Sequence, residues 1–243
     1  MRLLRSSVAH DDLTDKMWDE VASRLKQNKG ALGDLGGGNH FLDALLPYDE
    51  DILYFLVHTG SRDESGLVDD FVDDGLAFDR EFARVVAWAE RNRAAVAGIL
   101  EGVLGPLELV LDLPHNTFEK TDEGTIIRKG SVRLLPGELA ILPSHMTGDA
   151  VLVKASERIR EVLCSMSHGT GRTMSRSNAK IAASAFDFDA LRRDILLPSS
   201  LTDSSLTTEG PFAYRELDDC LSLVEGYVEE VGRFAVVAYM GHL

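Results

Sequence analysis

Cysteine, proline and long apolar runs are all scarce in this chain of 243 residues. The two cysteines, Cys164 and Cys220, lack the spacing of a metal-binding pair, and so few thiols are typical of a reducing compartment. Proline occurs only seven times and the aliphatic content is ordinary, which indicates a globular rather than a disordered chain. No stretch is apolar for long enough to form a signal peptide or to cross a membrane. We therefore expect a soluble, cytoplasmic protein that does not bind membranes.

Positive charge is also in short supply, because 25 Lys and Arg residues face 40 Asp and Glu residues and leave a net charge of −15. This balance disfavours nonspecific binding to nucleic acid. The charges are unevenly distributed along the chain. Residues 41–80 contain eleven acidic and two basic side chains, whereas residues 126–180 contain nine basic and four acidic ones. The second segment predicts a local phosphate-binding patch on an acidic protein.

Hydrophobic periodicity predicts a mixture of helices and strands. Helices are expected at 11–28, 71–100, 156–164, 178–196 and 213–231. Strands are expected at 51–58, 107–113, 138–142 and 234–239, with a hairpin at 125–134 that turns at Lys129 and Gly130. The sequence shows no internal repeat and no linker. It therefore predicts an α+β fold in which residues 1–243 form a single domain, with mixed central β-sheets flanked by helices.

The segment at 165–176 (SMSHGTGRTMSR) combines a histidine, a glycine loop and two arginines. His168 is followed by Gly-Thr-Gly and then by Arg172 and Arg176, which are four residues apart. Glycines let a phosphate approach backbone N–H groups, and two arginines on one helical face add charged donors for its oxygens. A histidine beside such a loop can attack phosphorus or protonate a leaving group. The alternative is an ordinary turn and helix start with a solvated arginine face.

Three further histidines stand where glycine loops or strands end. His40 closes a glycine-rich run, His58 ends a predicted strand, and His115 follows another. Because neutral imidazole is the commonest transition-metal ligand, three such rings that converged would make a metal site. Their spacing is not a local ligand motif, so a structural hydrogen bond stays the alternative for each ring. His145, which follows a later strand, is a fourth candidate whose alternative is a surface-loop position.

In this order, the glycine and histidine segments resemble the RtcB family of RNA ligases. The matching segments are GGGNHFLD at 36–43, HTGSR at 58–62, HN at 115–116, RKG at 128–130, PSHM at 143–146 and HGTGRTMSR at 168–176. The resemblance implies an RtcB-like domain that joins RNA 3′-phosphate or 2′,3′-cyclic-phosphate ends to 5′-hydroxyl ends. It also implies that the enzyme uses GTP and a divalent metal, normally Mn²⁺, with RNA ends as its other partners.

The resemblance also implies roles for single residues. His168 matches the family histidine that attacks the α-phosphate of GTP and carries GMP, which then passes to an RNA 3′-phosphate. His40, His58 and His115 match the metal-binding histidines. Arg172 is expected to hold phosphate. The other positions assigned to the nucleotide are Asn39, Asp43, Asn116, Ser144, His145, Gly169, Thr170 and Gly171.

The sequence departs from the family pattern at several places. The family's Asp-x-x-Cys-Gly-Met segment, whose Asp and Cys also bind metal, is missing, which favours one ion on three histidines. Asp43 replaces a glutamate, and Ser144 and His145 replace Gly-Ser. The last residues contain no lysine to contact the guanylate. These departures leave two alternatives open: a ligase-inactive relative that binds nucleotide or RNA ends, and a mononuclear metal-dependent phosphoesterase.

Overall fold

The computed structural model describes residues 1–60 and 75–241, which form helices and strands in an α+β arrangement. Its strands are β1 (Arg2–Ala9), β2 (Phe41–Pro47), β3 (Ile52–His58), β4 (Glu108–Asp112), β5 (Asn116–Thr121), β6 (Gly124–Lys129), β7 (Ser131–Arg133), β8 (Leu139–Pro143), β9 (Asp149–Ala155), β10 (Ser165–Ser167) and β11 (Val228–Gly241). Its helices are α1 (Asp15–Gln27), α2 (Gly75–Leu104), α3 (Arg176–Ala182), α4 (Phe188–Asp194), α5 (Asp203–Leu206) and α6 (Leu217–Ser222). None of these helices is long and apolar enough to cross a membrane.

A seven-stranded sheet organises the described part of the chain, in the order β4-β1-β3-β2-β11-β9-β8. Every pair of neighbours in this sheet is antiparallel. Two smaller sheets pair β5 with β6 and β7 with β10. The predicted α+β class, with central β-sheets flanked by helices, is therefore confirmed.

The large sheet is buried on both faces. Because side chains alternate along a strand, Phe55 packs into one hydrophobic cluster and its neighbour Leu56 into another. The first cluster lies under α1 and α2, which contribute Trp18 and Leu100, both fully buried. The second cluster includes Leu191 of α4. Burial on both faces explains why β3 reads as a continuous apolar run in the sequence.

The end of the chain differs most from the sequence prediction. A helix was expected at 213–231, but α6 stops at Ser222 and the chain enters β11 at Val228. Gly226 adopts a left-handed backbone conformation (φ +79°) in the turn between α6 and β11. The 14-residue β11 then hydrogen-bonds to β2 on one side and β9 on the other, and this long-range pairing outweighs local helical propensity.

Other element boundaries also differ from the sequence prediction. The hairpin is β5–β6, and the turn at Gly130 instead leads into β7. The helix expected at 178–196 is two short helices, because Asp187 caps the start of α4 by accepting from the backbone N–H of Ala190. The helix expected at 156–164 is a 3-10 turn at Glu157–Val162. The strands β1, β2 and β9 were not predicted, and the first four residues of the predicted helix at 71–100 lie outside the described residues.

Two leucines on α2 provide a test of this layer arrangement. Leu100 is fully buried in the first cluster, whereas Leu76 is 85% exposed. Leu100→Ala is expected to lower the free energy of unfolding by about 2–5 kcal/mol, because it removes apolar contacts and leaves a cavity. Leu76→Ala is expected to change it by no more than about 0.5 kcal/mol. Urea denaturation measures both values, and equal losses would contradict the packing described.

Candidate active site

Strand pairing brings His40 and His58 together. The register of β2 and β3 sets Phe41 opposite His58, so His40 lies beside the end of β3. The ring centroids of His40 and His58 are 5.6 Å apart. These two histidines are 18 residues apart in the sequence, and antiparallel pairing alone makes them neighbours.

The strand β1 brings His115 to the same edge of the sheet. Arg2 of β1 is paired with Val57 on one side and with Asp112 on the other. The strands β3 and β4 therefore end at the same level, and His115 follows β4 by three residues. The ring centroids of His58 and His115 are 4.9 Å apart.

A turn at Gly130 fixes His168 against His115. The backbone N–H of Ser131 donates to the carbonyl oxygen of His115 at 3.1 Å, and Nδ1 of His168 donates to the carbonyl oxygen of Gly130 at 2.6 Å. The two imidazole rings are consequently stacked, with centroids 4.5 Å apart and planes within 3°. Asn116 supports the turn, because its Oδ1 accepts from the backbone N–H of Gly130 at 3.1 Å.

Three of the four histidines meet the distance requirement of a metal site. His58, His115 and His168 each offer a ring nitrogen, and these atoms all lie within 4.8 Å of one another. The Nδ1 atoms of His58 and His115 are buried and have no hydrogen-bond partner among the described residues. Buried polar atoms normally have partners, so these nitrogens fit a bound cation. The predicted ligand set contained His40 in place of His168, and His40 lies at the edge of this group.

Burial keeps these imidazoles neutral. Desolvation lowers the pKa of His115 to about 3, and it lowers the pKa of His58 far below the usual value. Desolvation also lowers the pKa of His168. In neutral His168 the proton is on Nδ1, where it is hydrogen-bonded to the carbonyl oxygen of Gly130. Nε2 therefore keeps its lone pair. A neutral ring with a free Nε2 is the form that binds metals and attacks electrophiles.

Two glycines make room for the ring of His40. A Cβ atom at Gly36 would stand 2.4 Å from its Nδ1, and one at Gly60 would stand 2.5 Å from its Cε1 and Nε2. Gly36 also has a positive φ of +93°, a conformation that favours glycine. At Gly60 the backbone conformation is ordinary, and glycine is required only because a side chain would clash with the ring. Part of the glycine run therefore serves to seat an imidazole, which the sequence pattern did not reveal. Ser61 and Arg62, the end of the HTGSR segment, lie outside the described residues.

A pocket of about 190 Å³ opens beside His58 and His168. It is lined by eight of the nine residues predicted to contact nucleotide: Asn39, Asp43, Ser144, His145, Gly169, Thr170, Gly171 and Arg172. The structure thus brings together side chains from segments more than 100 residues apart in the sequence. Several lining residues were not predicted, among them Glu209, Tyr214 and Tyr239. Glu209 lies in a stretch whose polar composition is typical of a loop, so composition gave no reason to predict a role for it in the site.

Asp43 and His145 give this pocket an unusual polarity. Asp43 sits on β2 opposite Tyr239 of β11, is 4% exposed, and its Oδ1 has no partner among the described residues. Burial raises the pKa of Asp43 well above the usual value, because it removes water from around the carboxylate. His145 is half-buried, and desolvation lowers its pKa. Both side chains therefore favour the neutral form.

Asn116, the ninth predicted residue, lines a second and larger cavity of about 700 Å³ on the far side of His115. Three rings of this cavity, Phe78, Phe82 and Phe118, contact one another with centroids 4.9 to 5.7 Å apart. Lys129 also lines it. The histidine cluster therefore stands between a small pocket and a wide cavity that is partly aromatic.

Gly60→Ala tests whether the space around His40 is needed. The added methyl group would displace the ring, which packs on His58, and we expect the affinity for Mn²⁺ to fall about tenfold or more. Gly37→Ala is the matched control, because a Cβ atom at Gly37 would meet nothing within 4 Å. Metal titration followed by calorimetry measures both variants. Equal affinities in the two variants would contradict a role for this packing.

Asp43→Asn tests the buried carboxyl. The pKa of Asp43 is raised in the folded state, whereas in the unfolded state it has its usual value of 3.8. Above pH 3.8 the unfolded state therefore loses the proton while the folded state keeps it, and the free energy of unfolding falls as the pH rises. The variant is therefore expected to melt several degrees higher than the wild type at pH 7.5, since each kcal/mol of stability raises the melting temperature by about 2–4 °C. Near pH 3.8 the two proteins should melt at the same temperature. Thermal denaturation without metal or nucleotide measures this, with exposed Asp122→Asn as control. A lower melting temperature at pH 7.5 would contradict the assignment.

Comparison with known proteins identifies the family to which the chain is similar. A family model described as tRNA-splicing ligase RtcB matches residues 77–241. RNA-splicing ligase RtcB of Escherichia coli K12 is 26% identical to this chain, covering 82% of it and 58% of the relative. The tRNA-splicing ligases RtcB of Nanoarchaeum equitans and Thermococcus kodakarensis are 29% and 27% identical, covering 90% and 91% of this chain and 62% and 61% of the relatives.

The matches cover different shares of the relatives and of this chain. The chain spans about three fifths of the length of these curated relatives. The family model, in contrast, covers more than half of the chain and includes His115 and His168. On that match, the chain belongs to the RtcB family of tRNA-splicing ligases.

Proposed function

We propose that this protein is an RNA ligase that uses GTP and a divalent metal, with His168 as the residue that carries GMP. The observation that carries the proposal is the orientation of His168. Its Nδ1 is bonded to the carbonyl oxygen of Gly130, and its ring belongs to the group of nitrogens that includes His58 and His115. The same ring lines the pocket that contains most of the predicted nucleotide contacts.

The first step needs a neutral imidazole with a free nitrogen. Nε2 of His168 would attack the α-phosphorus of GTP, forming an N–P bond while the bond to the β-phosphate oxygen breaks and pyrophosphate leaves. Proton donation from Nδ1 to the carbonyl oxygen of Gly130 holds the ring in the reactive tautomer and stabilises the positive charge that develops on it. Burial keeps the ring unprotonated before the attack.

His58 and His115 are the residues that would hold the divalent ion, with His40 beside them. Their unpartnered buried nitrogens supply neutral ligands of the kind that Mn²⁺ accepts. When bound, such an ion offsets the charge of the phosphates and polarises the P–O bond. The ring nitrogens of this cluster lie within 4.8 Å of one another, a separation that suits a single ion.

The later steps require an RNA 3′-phosphate and a 5′-hydroxyl. A 3′-phosphate oxygen would take GMP from His168, and the 5′-hydroxyl oxygen would then attack the activated phosphorus and release GMP. The wide cavity beyond His115 gives the RNA end a route to the cluster from the side opposite the nucleotide pocket. Aromatic rings such as Phe118 are the groups on which unpaired bases stack in single-strand binding proteins. The net charge of −15 predicts that binding depends on such local contacts and weakens with salt.

Labelling with GTP tests the proposal. Incubation with Mn²⁺ and GTP labelled at the α-phosphate is expected to give an acid-labile adduct, because a phosphoramidate hydrolyses in acid. His168→Ala should lose at least 99% of this label, since no other group can replace the attacking nitrogen. His10→Ala is the matched control, because His10 follows the end of β1 that is remote from the cluster and is partly exposed. Adding RNA with 3′-phosphate and 5′-hydroxyl ends to the labelled protein should discharge the label and give joined product.

The same experiment separates the alternatives. Absence of label in the metal-loaded wild-type protein would contradict guanylylation and favour a relative that only binds nucleotide or RNA ends. Release of phosphate from RNA ends without label would favour a phosphoesterase. Label that persists in His168→Ala would contradict the assignment of the nucleophile.

A further inference from the structure

A buried carboxylate, Glu209, lies in the wall of the pocket proposed for the nucleotide and has no role in the steps proposed above. Its side chain is 2% exposed, although burial of a carboxylate is costly unless it is paired. Oε2 accepts from Nη1 of Arg172 at 2.7 Å and from the hydroxyl of Tyr214 at 2.5 Å. Oε1 accepts from Nε of Arg176 at 3.0 Å. Three donors from two separate segments therefore meet on one carboxylate.

These contacts fix the guanidinium of Arg172 in one orientation. Its Nε donates to the carbonyl oxygen of Met174 at 3.2 Å, and its Cζ lies 5.3 Å from the ring centre of Tyr214. The loop that carries it is joined to the chain around Tyr214, because Gly171 and Arg215 are linked by a backbone hydrogen bond of 3.0 Å. The remaining nitrogen, Nη2, is buried and has no partner among the described residues. A fixed, charged donor is thus left over at the pocket wall.

The charge balance of this corner suits an anion. Two guanidinium groups and one carboxylate leave a net charge of +1. Asp149 also lines the pocket, but its carboxylate accepts from the hydroxyl of Tyr48 and from Arg233. The arginines therefore keep an unbalanced positive charge toward the pocket, while Glu209 prevents them from moving apart by mutual repulsion.

We propose that Glu209 is a positioning residue that holds Arg172 and Arg176 as a preformed clamp for the phosphate chain of the bound nucleotide. Glu209 does not touch the substrate in this account, and it acts only through the two arginines. The inference rests on the proposed function, because that function puts a nucleotide in this pocket. A preformed clamp lowers the cost of ordering two long side chains when the phosphates bind.

Binding of inorganic pyrophosphate to Glu209→Gln gives the sharpest test, because two explanations predict opposite signs. Removing a negative charge beside an anion site would by Coulomb's law tighten binding. Loss of the clamp should instead weaken it, and we expect Kd to rise about tenfold or more, with a similar fall in the rate of His168 labelling at saturating GTP. Glu90→Gln, on the exposed face of α2, is the control and should match the wild type. Isothermal calorimetry and single-turnover labelling measure the two quantities.

A milder variant covers the case in which Glu209→Gln does not fold. Tyr214→Phe removes one donor to Glu209 but keeps both ion pairs, and it is expected to weaken pyrophosphate binding by about threefold. Unchanged or tighter pyrophosphate binding in folded variants, or no pyrophosphate binding by the wild type, would overturn the inference. A wild-type protein that binds pyrophosphate but takes no label would overturn the proposed function and leave the clamp to be judged on binding alone.

Discussion

The hydrogen bonds made by the turn at Gly130 are the constraint on which the site depends. One carbonyl oxygen at this turn sets the tautomer of His168, and the next backbone N–H holds the segment of His115. Because His168 is bonded to Gly130 and His115 to the adjacent Ser131, their rings stack at a fixed separation. The large sheet positions His58 relative to His115, since its register makes β3 and β4 end at the same level. The cluster is therefore determined mostly by backbone pairing.

The chemistry of the site follows from burial. Desolvation keeps the histidines neutral, so they can act as ligands or as a nucleophile at ordinary pH. The same effect neutralises Asp43, which leaves the arginines near Glu209 as the charged groups that dominate the nucleotide pocket. Local pairing and burial of carboxylates thus leave a positively charged corner on an acidic protein. Net charge alone did not reveal this.

The sequence revealed more of the site than of the fold. His40, His58, His115 and His168 could be predicted because glycine runs and strand ends mark them, and the structure brings all four together. The strand β11 was half missed, because its register with β2 and β9 depends on residues far away in the sequence. Glu209 was missed for the same reason: its two arginine partners, Arg172 and Arg176, lie more than 30 residues away in the sequence. Local patterns carry no information about such pairs.

The central claim is that histidines from separate segments form one metal centre beside the nucleotide pocket. A crystal structure of the Mn²⁺-loaded protein, with an anomalous difference map collected at the manganese edge, tests it most directly. The account predicts a peak bonded to ring nitrogens of His58 and His115, within reach of Nε2 of His168. A peak elsewhere on the molecule, or no peak at this cluster in fully loaded crystals, would contradict it.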